Sequence, residues 1–238
     1  MKFRCYESCV QILSMFFLLN LPLIAGQPDP NHGLFYIASK QEIQIDGLLD
    51  EWQEQVPILL NKKSQTKYQR GEWKGTEDLS AKCWISWNDS GLVIAAEVID
   101  DSAHFPFKGH DVWENDCLQF TVDVLDDNNP DYYQNDDREF VVTWVDSQSV
   151  VYEYAYSAQR NSGIRNFPVQ VIVAGDTIRY EVLIPWDGLG ILGPFAGMHI
   201  GLSVVFFDND GGYNRGWIEW TAGITDKKFT LPFATVLL

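Results

Sequence analysis

The sequence predicts an all-β fold, a single antiparallel β-sandwich of the immunoglobulin or jelly-roll type. Many short segments alternate apolar and polar residues with period two, as half-buried strands do. Clusters of Pro, Gly, Asn and Asp separate most of them. No segment carries a sustained helical apolar pattern, and residues 50–56 have room for one helical turn at most.

The chain has 238 residues, of which 46% are hydrophobic and 21% charged, the composition of a folded globular protein. Its 33 acidic residues against 17 basic ones give a net charge of −16. Nucleic-acid and anionic-lipid partners are thereby disfavoured, because affinity for phosphates comes from Lys and Arg.

The first residues carry Lys2 and Arg4, then an apolar run from Val10 to Ile24 broken by Gln11, Ser14, Asn20 and Pro22. Ala25 and Gly26 follow, and then the polar stretch Gln27-Pro28-Asp29-Pro30. A charged head, an apolar core and a small-residue exit describe a cleaved signal peptide over residues 1–26. The run is too short and interrupted for the ~20 apolar residues of a membrane span. Residues 27–42 lead into the fold, and residues 43–238 form one domain. The expected product is secreted or periplasmic, with no membrane span after leader removal.

Residues 79–87 place Leu79, Ala81, Cys83, Ile85 and Trp87 on one face and Ser80, Lys82, Trp84 and Ser86 on the other. The turn Asn88-Asp89-Ser90-Gly91 then leads to Leu92, Ile94, Ala96 and Val98 on a shared face, so 79–99 reads as a hairpin. Further strands fit 117–124, 138–145, 149–157, 168–174, 177–184, 198–207 and 232–238. Cys5 and Cys9 leave with the leader, and Cys83 and Cys117 remain. Two cysteines in an oxidising compartment suggest one disulfide. Alternation weighs against it: Cys83 faces the apolar side of its strand, whereas Cys117 lies opposite Leu118, Phe120 and Val122.

Catalytic motifs are missing from the sequence. There is no Gly-x-Ser-x-Gly elbow, phosphate-binding loop or Cys-x-x-Cys pair. His32, His104, His110 and His199 have no zinc-ligand spacing. A non-enzyme is expected.

An ordered series of motifs remains. Ile45-Asp46-Gly47-Leu48-Leu49-Asp50-Glu51-Trp52 opens the domain. Trp87-Asn88-Asp89-Ser90-Gly91, Val98-Ile99-Asp100-Asp101 and Trp113-Glu114-Asn115-Asp116 follow. Tyr180 to Trp186, with its Ile-Pro-Trp ending, comes next, then Phe207-Asp208-Asn209-Asp210 and Trp217-Ile218-Glu219-Trp220. This series resembles the family 9 carbohydrate-binding modules over roughly residues 43–238. The resemblance implies a β-sandwich, structural calcium, and a sugar gripped between two aromatic rings.

Trp113 matches the family's aromatic platform, and Gln119 stands where the family has a sugar-binding Glu. Val141 falls near the family's sugar-binding Arg. The second platform is expected between Trp220 and Phe233, where Phe229 is the only aromatic residue. Trp73, in a Gly-bounded loop, and Trp84, on the polar side of its strand, are further candidates for exposed, glycan-contacting rings. Trp52, Trp87 and Trp186 read as packing residues. Asp126, Asp127, Asn129, Asp131, Asp136 and Asp137 gather oxygen ligands suited to calcium, although a solvated acidic loop explains them equally well. Asp208-Asn209-Asp210 is a weaker second candidate.

The leading expectation is an exported, non-catalytic carbohydrate-binding module. Its partners would be a glycan or oligosaccharide and a glycan-degrading enzyme, in polysaccharide catabolism. One competing reading is a haem-binding electron-transfer sandwich of the DOMON-like type. Its ligand candidates, Met198 and His199, fall on opposite strand faces. Another is a structural, protein-binding sandwich.

Overall fold

The computed structural model describes residues 34–156 and 160–238. The expected signal peptide lies outside these residues. The strands, in chain order, are β1 (Phe35–Ile37), β2 (Ser39–Lys40), β3 (Ile58–Leu60), β4 (Thr66–Tyr68), β5 (Leu79–Trp87), β6 (Gly91–Asp100), β7 (Cys117–Asp123) and β8 (Asp137–Val145). They continue with β9 (Gln148–Tyr154), β10 (Gly163–Arg165), β11 (Val169–Ala174), β12 (Thr177–Pro185), β13 (His199–Asp208), β14 (Gly216–Glu219) and β15 (Ala234–Leu237).

They form two sheets. The nine-stranded sheet runs β1-β15-β13-β7-β8-β9-β10, with β14 beside β13 and β4 beside β14. The six-stranded sheet runs β11-β12-β6-β5-β2, with β3 also on β5. Pairing is antiparallel except at two edges, where β1 runs parallel to β15 and β2 parallel to β5. The sequence-based expectation of an all-β sandwich therefore holds, with mixed rather than purely antiparallel sheets.

Alternation decides the core. The inward residues of β5 and β6 (Leu79, Cys83, Ile85, Leu92, Ile94) meet Leu118, Phe120, Phe140, Val142 and Phe206 of the large sheet in one apolar cluster. Cys117 faces out from the large sheet with Val141, Tyr152 and Val205. The two cysteines thus lie on opposite faces, both free and both buried.

The opening Ile-Asp-Gly motif has a clear physical basis. Glu181, fully buried on β12, accepts the Asp46 and Gly47 backbone N–H groups at 2.9 Å each and the Trp52 indole N–H at 2.8 Å. Gly47 sits at φ +77°, and a Cβ there would come 2.7 Å from Ile172 Cδ1. Both the backbone conformation and the close approach require glycine.

Trp84 does not have the exposure expected of it. It is only 7% exposed and packs with Leu49, Trp52, Val93, Ala95 and Leu183 in a second apolar layer outside the small sheet. The segment carrying Leu49 and Trp52 covers that face. Trp73 is half-buried against the main core, with its indole N–H on the Leu79 carbonyl at 2.9 Å.

Candidate carbohydrate-binding site

The outward residues of β14, β13, β7, β8 and β9 line up in rows, because register places Trp217 beside Phe207 and Gln119 between Val205 and Val141. Glu139 lies between Thr121 and Tyr154 in the next row. These rows floor a cleft of 360 Å³. Trp113, Tyr154, Tyr156, Phe207 and Trp217 supply its aromatic lining, and Gln119, Glu139 and Lys228 supply polar groups.

Trp113 belongs to a 3-10 turn, Gly109–Glu114, that the following residues fasten down. The Asn115 side chain accepts from Phe107 N at 2.8 Å and donates to Phe107 O at 3.0 Å. Asp116 accepts the His104 and Asn209 backbone N–H groups. The Trp113 ring, 36% exposed, meets Phe207 edge-on at 5.8 Å between centroids. A large apolar face is thereby held on a fixed support, and such a ring stacks on a sugar's C–H face with little further loss of rotamer freedom.

Glu139 is 1% exposed. It accepts from Lys228 Nζ at 2.8 and 2.9 Å and from the Tyr156 hydroxyl at 2.6 Å. Burial, together with the charge of Glu139, raises the Tyr156 hydroxyl well above its usual range, so Tyr156 stays a donor. Trp217 is 7% exposed, and its indole N–H has no partner among the described residues. A buried donor without an acceptor costs ~1–3 kcal/mol, which a ligand oxygen would recover.

Trp113 and Gln119 therefore share the cleft, as their sequence positions suggested. Trp73, Trp84 and Phe229 are not among the residues lining it. Phe229 is half-buried, with its backbone N–H on the Gly223 carbonyl. Glu139, Lys228, Tyr156 and Trp217 were missed by sequence reasoning. Glu139 and Lys228 are 89 positions apart, and nothing local links them. The one available signal was alternation on β8, which puts Glu139 on the same face as Val141.

The acidic residues divide into separate groups. Asp123, Asp136 and Asp137 bring carboxylate oxygens within 4.8 Å of one another. Burial and the neighbouring acids push Asp137 up to about 7. Asp126 turns instead toward the Thr235 hydroxyl, at 3.2 Å. Asn129 accepts from Asp131 N at 2.8 Å in a local turn, and Asp127 donates its backbone N–H to Asp123 at 3.4 Å. A second group, Asp78, Asp101 and Asp210, also converges. There the Arg215 guanidinium already lies 3.4 Å from Asp78 and in contact with Asp210, supplying the positive charge.

A family model described as carbohydrate family 9 binding domain-like matches residues 45–234. Two solved structures of a family 9 carbohydrate-binding module from Caldicellulosiruptor kristjanssonii share the fold, each at 18% identity over 85% of this chain. The glucose complex has a TM-score of 0.65 and is covered over 94% of its length. The cellotriose complex has a TM-score of 0.66 and is covered over 92%. No curated protein matches the chain. The match to the family model spans most of the sequence, and the chain belongs to the carbohydrate family 9 binding domain-like family, whose members are non-catalytic carbohydrate-binding modules.

Proposed function

We propose that this protein binds a gluco-oligosaccharide in the cleft of the nine-stranded sheet, with Trp113 as the stacking platform. The observation that carries the reading is the pairing of a fixed, half-exposed indole with a buried donor lacking a partner, Trp217 Nε1, in one aromatic cleft. The Glu139–Lys228 pair stands in for the acid and Arg that the resemblance placed at Gln119 and Val141. Glucose and cellotriose, bound by the similar modules, are the probes. In calorimetric titration, Trp113→Ala is expected to weaken binding by about tenfold or more, equivalent to ~1.4 kcal/mol of lost stacking. Unchanged affinity in a folded variant would remove Trp113 from the site.

The reading extends to an exported module that tethers a glycan-degrading enzyme to its polymer. The leader-like first 26 residues support export, and N-terminal sequencing of the exported chain would then start near Gln27. Calcium would be held by Asp123, Asp136 and Asp137. Three converging carboxylates with no Lys, Arg or His within ion-pair distance among the described residues suit a hard cation. Excess calcium is expected to raise the melting temperature by about 5 °C over chelator. Equal midpoints in the two conditions would reject the assignment.

A further inference from the structure

In a chain of net charge −16, arginines are scarce, yet three of them converge at one edge of the large sheet. Arg138 of β8 and Glu153 of β9 both face inward, behind the cleft. Arg138 Nη2 and Nε lie 3.0 and 3.1 Å from Glu153 Oε1. Arg165 of β10 reaches Glu153 Oε2 at 2.5 Å, and Arg160 reaches Oε1 at 3.5 Å. One carboxylate therefore faces three guanidinium groups. The backbone carbonyls of Gly188 and Asn161 take one further N–H each, from Arg138 and Arg165.

The cluster is under-neutralised. Arg138 is 3% exposed, and its Nη1 has no acceptor among the described residues. Burial, and then the charge of Arg165, hold the Arg160 guanidinium below its ordinary range. A buried carboxylate balances one guanidinium; two positive charges remain in a partly desolvated place. Arg160 and Arg165 keep 36% and 29% of their side chains open to solvent, so the excess is reachable. Gly190, at φ +84°, faces the Arg160 fork, where even a Cβ would stand 3.8 Å from Nη2.

We propose that Arg138, Arg160 and Arg165 form a binding site for a small oxyanion, the group presented by a sulfate ester or a uronic-acid carboxylate. Guanidinium forks match such planar or tetrahedral oxygen sets through paired N–H donors. The site does not depend on the cleft reading, because the two occupy opposite faces of the same sheet. On the β9–β10 side, Ser162 lines the cleft next to Asn161, whose carbonyl accepts from Arg165.

The test uses the full chain, titrated calorimetrically with sodium sulfate, sodium phosphate and sodium glucuronate at ionic strength fixed with sodium chloride. Saturable binding of at least one anion is expected, with a melting temperature raised by about 2–4 °C at saturation. Sulfate or phosphate alone would point to a tetrahedral ester, and glucuronate alone to a carboxylate; either supports the site. Arg160→Ala, an exposed change that leaves the Arg138–Glu153 pair intact, is expected to weaken binding at least fivefold, with partial recovery in Arg160→Lys. Trp113→Ala is expected to leave anion binding unchanged. No saturable binding of any of the three anions overturns the proposal. So does binding that persists undiminished in folded Arg160→Ala and Arg165→Gln, or that disappears in Trp113→Ala.

Discussion

Glu181→Ala is expected to destabilise the fold by about 4 kcal/mol, since each hydrogen bond to a buried charge is worth ~1.5–3 kcal/mol and stranded donors add to the loss. Glu181 has no exposure and accepts three N–H groups, from Asp46, Gly47 and Trp52. Removing it leaves the Gly47 and Trp52 donors without an acceptor, while the Asp46 N–H keeps the Gln44 carbonyl, and frees the segment that covers Trp84. Trp52 would lose its anchor in the second apolar layer. Urea denaturation measures the effect. Glu181→Gln separates shape from charge: it keeps one acceptor oxygen and is expected to lose about half as much. A midpoint for Glu181→Ala within error of wild type would show that the opening motif is not held by this carboxylate.

Stability should also fall as the solution is made more alkaline from pH 4 to pH 8. Asp100, Asp116 and Asp208 are 2%, 1% and 1% exposed. Burial, more than any neighbour, pushes Asp100 and Asp208 up to about 6. Asp116 is raised well above the carboxylate range by burial and then by Asp100. Asp100 Oδ2 has no partner among the described residues. In the unfolded chain these groups titrate near ~3.9. Between the two ranges the folded state therefore binds more protons than the unfolded one. The stabilisation is complete below the unfolded value and is lost as pH rises through the folded value near 6. The combined loss is on the order of a few kcal/mol, discounted because the groups interact. Urea midpoints at pH 5 and pH 8, with calcium in excess throughout, measure it. Asp100→Asn, which cannot ionise, is expected to flatten the profile and to raise the midpoint at pH 8. A profile as steep in Asp100→Asn as in wild type would place the proton uptake elsewhere.

Much of the fold was legible because the long strands alternate cleanly. The expected segment 79–87 coincides with β5, and 117–124 and 177–184 differ from β7 and β12 by one residue each. The short strands β1, β2, β3, β4, β10 and β14 span four residues or fewer, too few for period two to stand out from chance. Trp84 looked exposed because its strand neighbours Ser80, Lys82 and Ser86 are polar. Its burial comes from Leu49 and Trp52, which no local pattern connects to it. The site was half legible for a related reason. Trp113 and Gln119 sit inside a contiguous motif. Glu139, Lys228 and Trp217 become neighbours only through register and a loop that crosses back over the sheet.

The strand alternation under the cleft separates two kinds of sequence change. Gln119 lies between Leu118 and Phe120, Glu139 between Arg138 and Phe140, and Trp217 beside Ile218, so every cleft position on these strands is flanked by an inward one. The inward set holds the two sheets together and tolerates little change in volume. The outward set forms a second packed layer, in which Gln119, Glu139 and Trp217 line the cleft while Val141 and Val205 are fully buried beneath it. Recognition is therefore written only on alternate letters of these strands, whereas stability draws on both sets. With the buried Val141, Val205 and Glu139 left in place, a library varied at Gln69, His110, Trp113 and Gln119, which line the cleft, would sample new sugar specificities on a retained scaffold. Drift at those same positions lets members of one family part company in what they bind while keeping one architecture.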